Sequence, residues 1–99
     1  MKLSEFFETH EWTQGSYAKT VNGTNVSPLD PDATCWCVIG AIRHLYPPRS
    51  TAEIYNDDVC KNIWPRFTNV ITNMSLAQWN DAPGRTKAEV ISLLKDLDL

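Results

Sequence analysis

The apolar positions of this chain recur at helical spacing in several separate stretches. Leu3, Phe6, Phe7 and His10 fall at i, i+3, i+4 and i+7, one face of an amphipathic helix. Glu5 and Glu8 lie near its positive N-terminal end. Gly15 marks an exit, and then the spacing changes. Ser16–Val21 and Thr24–Ser27 flank Asn22-Gly23, the dipeptide that best suits a tight hairpin, because both central residues need φ > 0. A small two-stranded ribbon is expected there.

Asp30-Pro31-Asp32-Ala33 reads as a helix start, with Asp30 capping and Pro31 in the first turn. The central apolar helix is therefore expected near 31–46, stopped by Pro47-Pro48. Its run Cys35-Trp36-Cys37-Val38-Ile39-Gly40-Ala41-Ile42 carries no charge, as befits a helix buried nearly all round. Gly40 and Ala41 would let a neighbour approach closely. Ser50-Thr51-Ala52-Glu53 is a capping box opening a helix with Ile54, Tyr55, Val59, Ile63 and Cys60 as inward positions. Pro65 closes or kinks it. Phe67, Val70, Ile71 and Met74 predict a further short helix. Ser75–Gln78 and Thr86–Glu89 are two more capping boxes, separated by the turn Asn80–Gly84. The last helix should run to about Asp96, with Ala88, Val90, Ile91, Leu94 and Leu97 inward.

The pattern is mainly α within an α+β class: a compact bundle of about four to six helices with one small N-terminal hairpin. At 99 residues the chain is expected to be a single domain over 1–99. Hydrophobic residues make up 42%, enough for a core without staples, and four Trp enlarge it.

A net charge of −3 with scattered Lys and Arg opposes a nucleic-acid footprint. Only folding could gather Arg43, Arg49, Arg66 and Arg85 on one face. No apolar stretch is long enough to span a bilayer. Acidic residues interrupt the first eight positions, unlike a signal peptide. A cytoplasmic protein is expected, with no membrane and no nucleic acid as partner. Three cysteines are a poor disulfide framework and fit a reducing compartment.

Candidate chemistry is sparse. Helical residues two apart point roughly 200° apart, so Cys35 and Cys37 would not share a metal. Cys37 and His44 would lie on one helix face but about 10.5 Å apart along the axis, beyond hydrogen-bond reach. His10 could approach Cys37 only through the fold. The acidic residues lack a calcium-loop pattern, and no glycine-rich phosphate loop exists. No cofactor and no metal is expected. The densest polar cluster is Trp79-Asn80-Asp81 with Arg85 and Thr86. It reads as a structured turn and helix cap, or as a small binding notch beside a Trp. Those four residues, Trp79, Asn80, Asp81 and Arg85, are the candidate binding residues.

Trp36-Cys37 with Gly40-Ala41, followed by Trp79-Asn80-Asp81, Arg85-Thr86 and Glu89-Val90, resembles an uncharacterised family of small bacterial and phage proteins. Trp12, Gln14-Gly15, Tyr17-Ala18 and Asp30–Ala33 are similar to its first half. The resemblance implies an intracellular bacterial or phage setting and carries no activity. Two functions are expected. The first is a non-enzymatic accessory or interaction domain with an unidentified protein partner, contacted through the hairpin tip and Trp12 or Trp79. The alternative is a small thiol-dependent hydrolase or ligand-binding protein using Cys37 with His10 or His44.

Overall fold

The first helix, α1 (Leu3–Thr9), forms where the amphipathic pattern places it and buries Leu3, Phe6 and Phe7. The computed structural model describes residues 1–48 and 57–99. At the start of α1 the Glu5 carboxylate accepts the Lys2 backbone N–H at 2.8 Å, satisfying a donor at the positive end of the helix. Buried Ser4 donates its N–H and its hydroxyl to the Leu99 carbonyl, at 3.2 and 2.8 Å. This ties the chain's last residue to its first helix.

Three two-residue strands follow: β1 (Glu11–Trp12), β2 (Ala18–Lys19) and β3 (Cys35–Trp36). Their order is β1-β3-β2, with β3 parallel to β1 and antiparallel to β2. A turn forms at Asn22-Gly23, but of a different type from the one expected: Val21 and Asn22 are its central residues, and only Gly23 takes positive φ. Gly23 has φ +83° and donates to Thr20, while Lys19 bridges Asn25. The ribbon does not stand alone, however. Its first arm joins β3, which makes a three-stranded sheet.

The central helix is α2 (Val38–Leu45), seven residues later in its start than position 31. The reason is local. Asp30 accepts the Asp32 N–H through Oδ1 at 2.8 Å, and its carbonyl accepts from Ala33, so Asp-Pro-Asp closes a turn rather than capping a helix. Cys35 and Trp36 then extend between two strands. A continuous apolar run fits a buried strand as well as a buried helix, and here it is one followed by the other. Cys37 is the N-cap, its sulfur accepting the Gly40 N–H at 3.2 Å. The helix ends before Pro47-Pro48, as expected.

The capping box at Ser50–Glu53, with Ile54 and Tyr55, lies outside the described residues. From residue 57 the chain is helical. A π-helical stretch, Val59–Ile63, leads directly into α3 (Trp64–Val70). Pro65 therefore neither closes nor breaks the helix. It lacks an N–H, and the widened turn just before it, with the Trp64 N–H on the Val59 carbonyl, accommodates that. Val59, Ile63 and Phe67 face the core, whereas Cys60 is exposed rather than inward. No second helix follows at 67–74. Val70-Ile71-Thr72 is a β-branched run, Ile71 turns extended, and Val70 and Met74 are exposed.

Both remaining capping boxes form. Ser75 and Gln78 exchange bonds of 3.1 and 2.9 Å at the start of α4 (Leu76–Asn80). Thr86 and Glu89 do the same at 3.2 Å before α5 (Lys87–Asp96). Val90 and Leu94 of α5 are buried and Ile91 and Leu97 half-buried, but Ala88 is exposed. Its position falls on the solvent side of the helix. Helix α5 packs on α1, and α4 packs on α2. The expected α+β class holds, with short helices around a small sheet. Among the described residues, no helix is long and apolar enough to cross a membrane.

Candidate functional site

Asn80 ends α4 and is 1% exposed, the one large polar side chain among the most deeply buried of the described residues. A buried amide must find partners for both its ends. Its Oδ1 accepts the Trp12 indole N–H at 2.7 Å and the Val38 backbone N–H at 3.0 Å. Its Nδ2 donates to the Thr13 carbonyl at 3.2 Å and to Asp81 Oδ1 at 2.9 Å. One side chain thus joins β1, the first turn of α2 and the end of α4.

The neighbours extend this network. The Gln14 amide donates to the carbonyls of Asn80 and Ala82, at 2.9 and 3.0 Å. The Gly15 N–H donates to Asp81 Oδ1 at 3.0 Å. Asp81 Oδ1 therefore accepts two bonds, while Oδ2 accepts none among the described residues. Arg85 lays its guanidinium over the half-buried Trp79 ring, 4.0 Å from the centroid. It donates Nε to the Trp79 carbonyl at 3.0 Å and pairs with Glu89 at 3.0 Å. It does not pair with Asp81.

Beside this network lies a cleft of about 290 Å³. Buried Cys37, Ile39 and Asn80 form its inner side. Exposed Gly15, Tyr17, Ala77 and Asp81 form its rim, together with half-buried Ser16. The structure thus brings Asn80 and Asp81 to the cleft and turns Trp79 and Arg85 into each other. Tyr17, Ile39 and Ala77 join the cleft without being among the sequence's candidate site residues. Their signals are ordinary apolar ones, and only the fold shows that they face one space.

The thiol and the histidines separate. Cys37 lines the cleft at 6% exposure, and burial pushes its thiol above the usual range, with the nearby Asp81 charge adding to that. Trp36 precedes it in extended backbone, so their side chains leave on opposite sides. Both histidines pack around Trp36. His10 stacks on Phe6 with centroids 4.1 Å apart, and lies 5.4 Å from the Trp36 ring. His44 lies 5.3 Å from the same ring. The His10 Nδ1 sits 2.9 Å from the Phe6 carbonyl and the His44 Nδ1 2.8 Å from the Pro28 carbonyl. A carbonyl only accepts, so the His44 contact takes a proton on Nδ1, whereas His10 Nδ1 also meets the Thr9 hydroxyl at 2.9 Å, which can donate or accept. Neither ring hydrogen-bonds to Cys37. Cys35 donates instead to the Lys19 carbonyl at 3.7 Å. Among the described residues, no three His, Cys, Asp or Glu side chains gather to hold a metal ion.

No curated protein and no solved structure matches this chain. One family pattern does, over residues 2–97, nearly the whole length and all the residues of the site. The chain belongs to that family, DUF6197, a family of unknown function.

Proposed function

We propose that the chain is a non-enzymatic interaction domain, a single folded unit that docks a segment of a partner protein at the Cys37–Asn80–Asp81 cleft. The observation that carries this reading is where the polar groups point. Asn80 uses both ends of its amide inside the protein, and Arg85 is turned onto Trp79 and Glu89. They shape the cleft and leave no charge relay in it. What the cleft offers is form, apolar wall and one carboxylate oxygen. The setting that fits best is cytoplasmic, bacterial or phage-encoded, as the family resemblance implies.

The test is affinity capture with wild type and with Ala77→Gln, which fills the mouth of the cleft from an exposed position. Proteins held by the wild type and lost by A77Q support the reading. Identical sets from both, with both folded, would overturn it.

A second reading rests on Cys37 lining the same cleft. In it the thiol touches a small ligand directly. Saturating the cleft with such a ligand would slow alkylation of Cys37 while leaving Cys60 unchanged. A thiol that is unreactive in the folded protein with and without ligands would dispose of this version.

A further inference from the structure

We propose that the side chain received by this cleft is a cationic one: an arginine or lysine of the partner, its alkyl stem against Ile39, Ala77 and Tyr17 and its charged head on Asp81 Oδ2. This deepens the docking reading above and rests on it.

Size comes first. About 290 Å³ lies at the small end of ligand pockets, which run to roughly 1,000 Å³. It suits one long side chain better than a cofactor. Chemistry comes second. Asp81 has one oxygen fixed by the Gly15 N–H and the Asn80 amide, so the carboxylate is oriented before any ligand arrives. The second oxygen keeps its lone pairs at the rim. The Asp81 charge is felt by the Cys37 thiol on the inner side, so its field reaches into the cleft. Of the nearby cations, Arg85 is engaged on Trp79 and Glu89, and Arg43 stacks on the Tyr17 ring, 4.6 Å from its centroid.

An anionic occupant is the obvious competitor, because α2 points its N-terminus toward the cleft. Two of its first three N–H donors are already used. The Val38 N–H is bonded to Asn80 and the Gly40 N–H to the Cys37 sulfur. With those two amides taken and a carboxylate at the rim, an anion meets repulsion from Asp81 at a helix end that has already spent most of its donors. A cation meets an oriented acceptor and an apolar wall for its stem. The chain's net charge of −3 favours the same encounter.

The experiment titrates the full chain, followed by backbone amide NMR, with blocked Gly-Arg-Gly and Gly-Lys-Gly peptides. The controls are the norleucine peptide, which keeps the stem without the charge, the glutamate peptide, and spermidine. The basic peptides should shift the amides of Gly15, Ser16, Ala77 and Asp81 and bind about tenfold more tightly than norleucine. Asp81→Asn keeps an acceptor for Gly15 and should remove that preference; A77Q should remove binding by all peptides.

Norleucine binding as well as arginine would overturn the cationic assignment and leave the cleft reading standing. A preference for arginine that survives D81N, or tighter binding of glutamate, would overturn it too. Tighter binding of spermidine would make a free amine the ligand and overturn the side-chain source. If no peptide shifts these amides, the inference fails. The docking reading then stands or falls separately on the partners lost by A77Q.

Discussion

The indole N–H of Trp12 and the side-chain carbonyl of Asn80 meet at 2.7 Å, joining positions 68 residues apart. The same oxygen holds the Val38 N–H at the start of α2. Three elements distant in sequence are therefore positioned by one amide. The cleft lies beside this junction, with Asn80 in its inner side. Asn80 thus both lines the cleft and holds three elements together, and substitutions there read its structural part.

Asn80→Leu should strand the Trp12 and Val38 donors in the core. Leaving buried polar groups unpaired costs about 1–3 kcal/mol each, so a loss of roughly 3 kcal/mol is expected in urea unfolding. Asn80→Asp is the more telling change. It keeps the acceptor but loses the donor to Thr13 and places a second carboxylate beside Asp81. Burial and like charge raise the pKa of the new acid in the folded state. A raised folded pKa stabilises below the unfolded value and is lost as pH rises. The deficit of N80D relative to wild type should therefore shrink as pH falls. A deficit independent of pH would contradict the arrangement.

Gly40 tests a different approach. A Cβ there would lie 1.8 Å from the Tyr17 carbonyl oxygen, the same oxygen that accepts the Cys37 N–H at 3.2 Å. On an exposed helix, Gly→Ala gains up to about 1 kcal/mol. Here the backbone of residue 17 must retreat, and overpacking of this kind costs about 1–3 kcal/mol. Gly40→Ala should lower the melting temperature and shift the amides around Tyr17. An increase would mean that the two backbones are not in contact.

The cysteines should alkylate in the order Cys60, Cys35, Cys37, following exposed, half-buried and buried positions. Burial raises the Cys37 thiol, so its labelling should require higher pH than that of Cys60. The same shift gives a sign for stability. The folded state keeps the Cys37 proton where the unfolded chain has lost it, so this contribution fades as pH rises through the folded value. Mass spectrometry of iodoacetamide adducts against pH reads the order directly. Early labelling of Cys37 at neutral pH would revive the thiol reading.

What the sequence made legible was local. The capping boxes at Ser75 and Thr86 form because each needs only four residues. The α1 stripe holds for the same reason. Asp30-Pro31-Asp32 misleads because an Asp side chain serves a turn as readily as a helix cap, and the choice was made by β1 and β2 pairing with Cys35-Trp36. At the site, Trp79–Arg85 stands out as a polar cluster. Its partners at Trp12, Gln14 and Gly15 lie 66 to 68 residues away, and no spacing rule connects them. Tyr17, Ile39 and Ala77 carry no chemical signal at all until the fold places them around one space.

Arg85 distinguishes a stack from an ion pair. Its guanidinium lies 4.0 Å over Trp79 and bonds that residue's carbonyl through Nε, while its other end meets Glu89 on the half-exposed surface. Lysine could still reach Glu89 but could neither stack as a plane nor donate at the Nε position. Arg85→Lys should therefore cost about 1 kcal/mol, the range of a partly desolvated cation–π contact. It should also change Trp fluorescence. Glu89→Gln removes the charge of the surface pair while keeping an acceptor for the Thr86 cap, and should cost under about 0.5 kcal/mol. If the two variants reversed in rank, the ion pair rather than the stack would be holding Trp79 against the network that shapes the cleft.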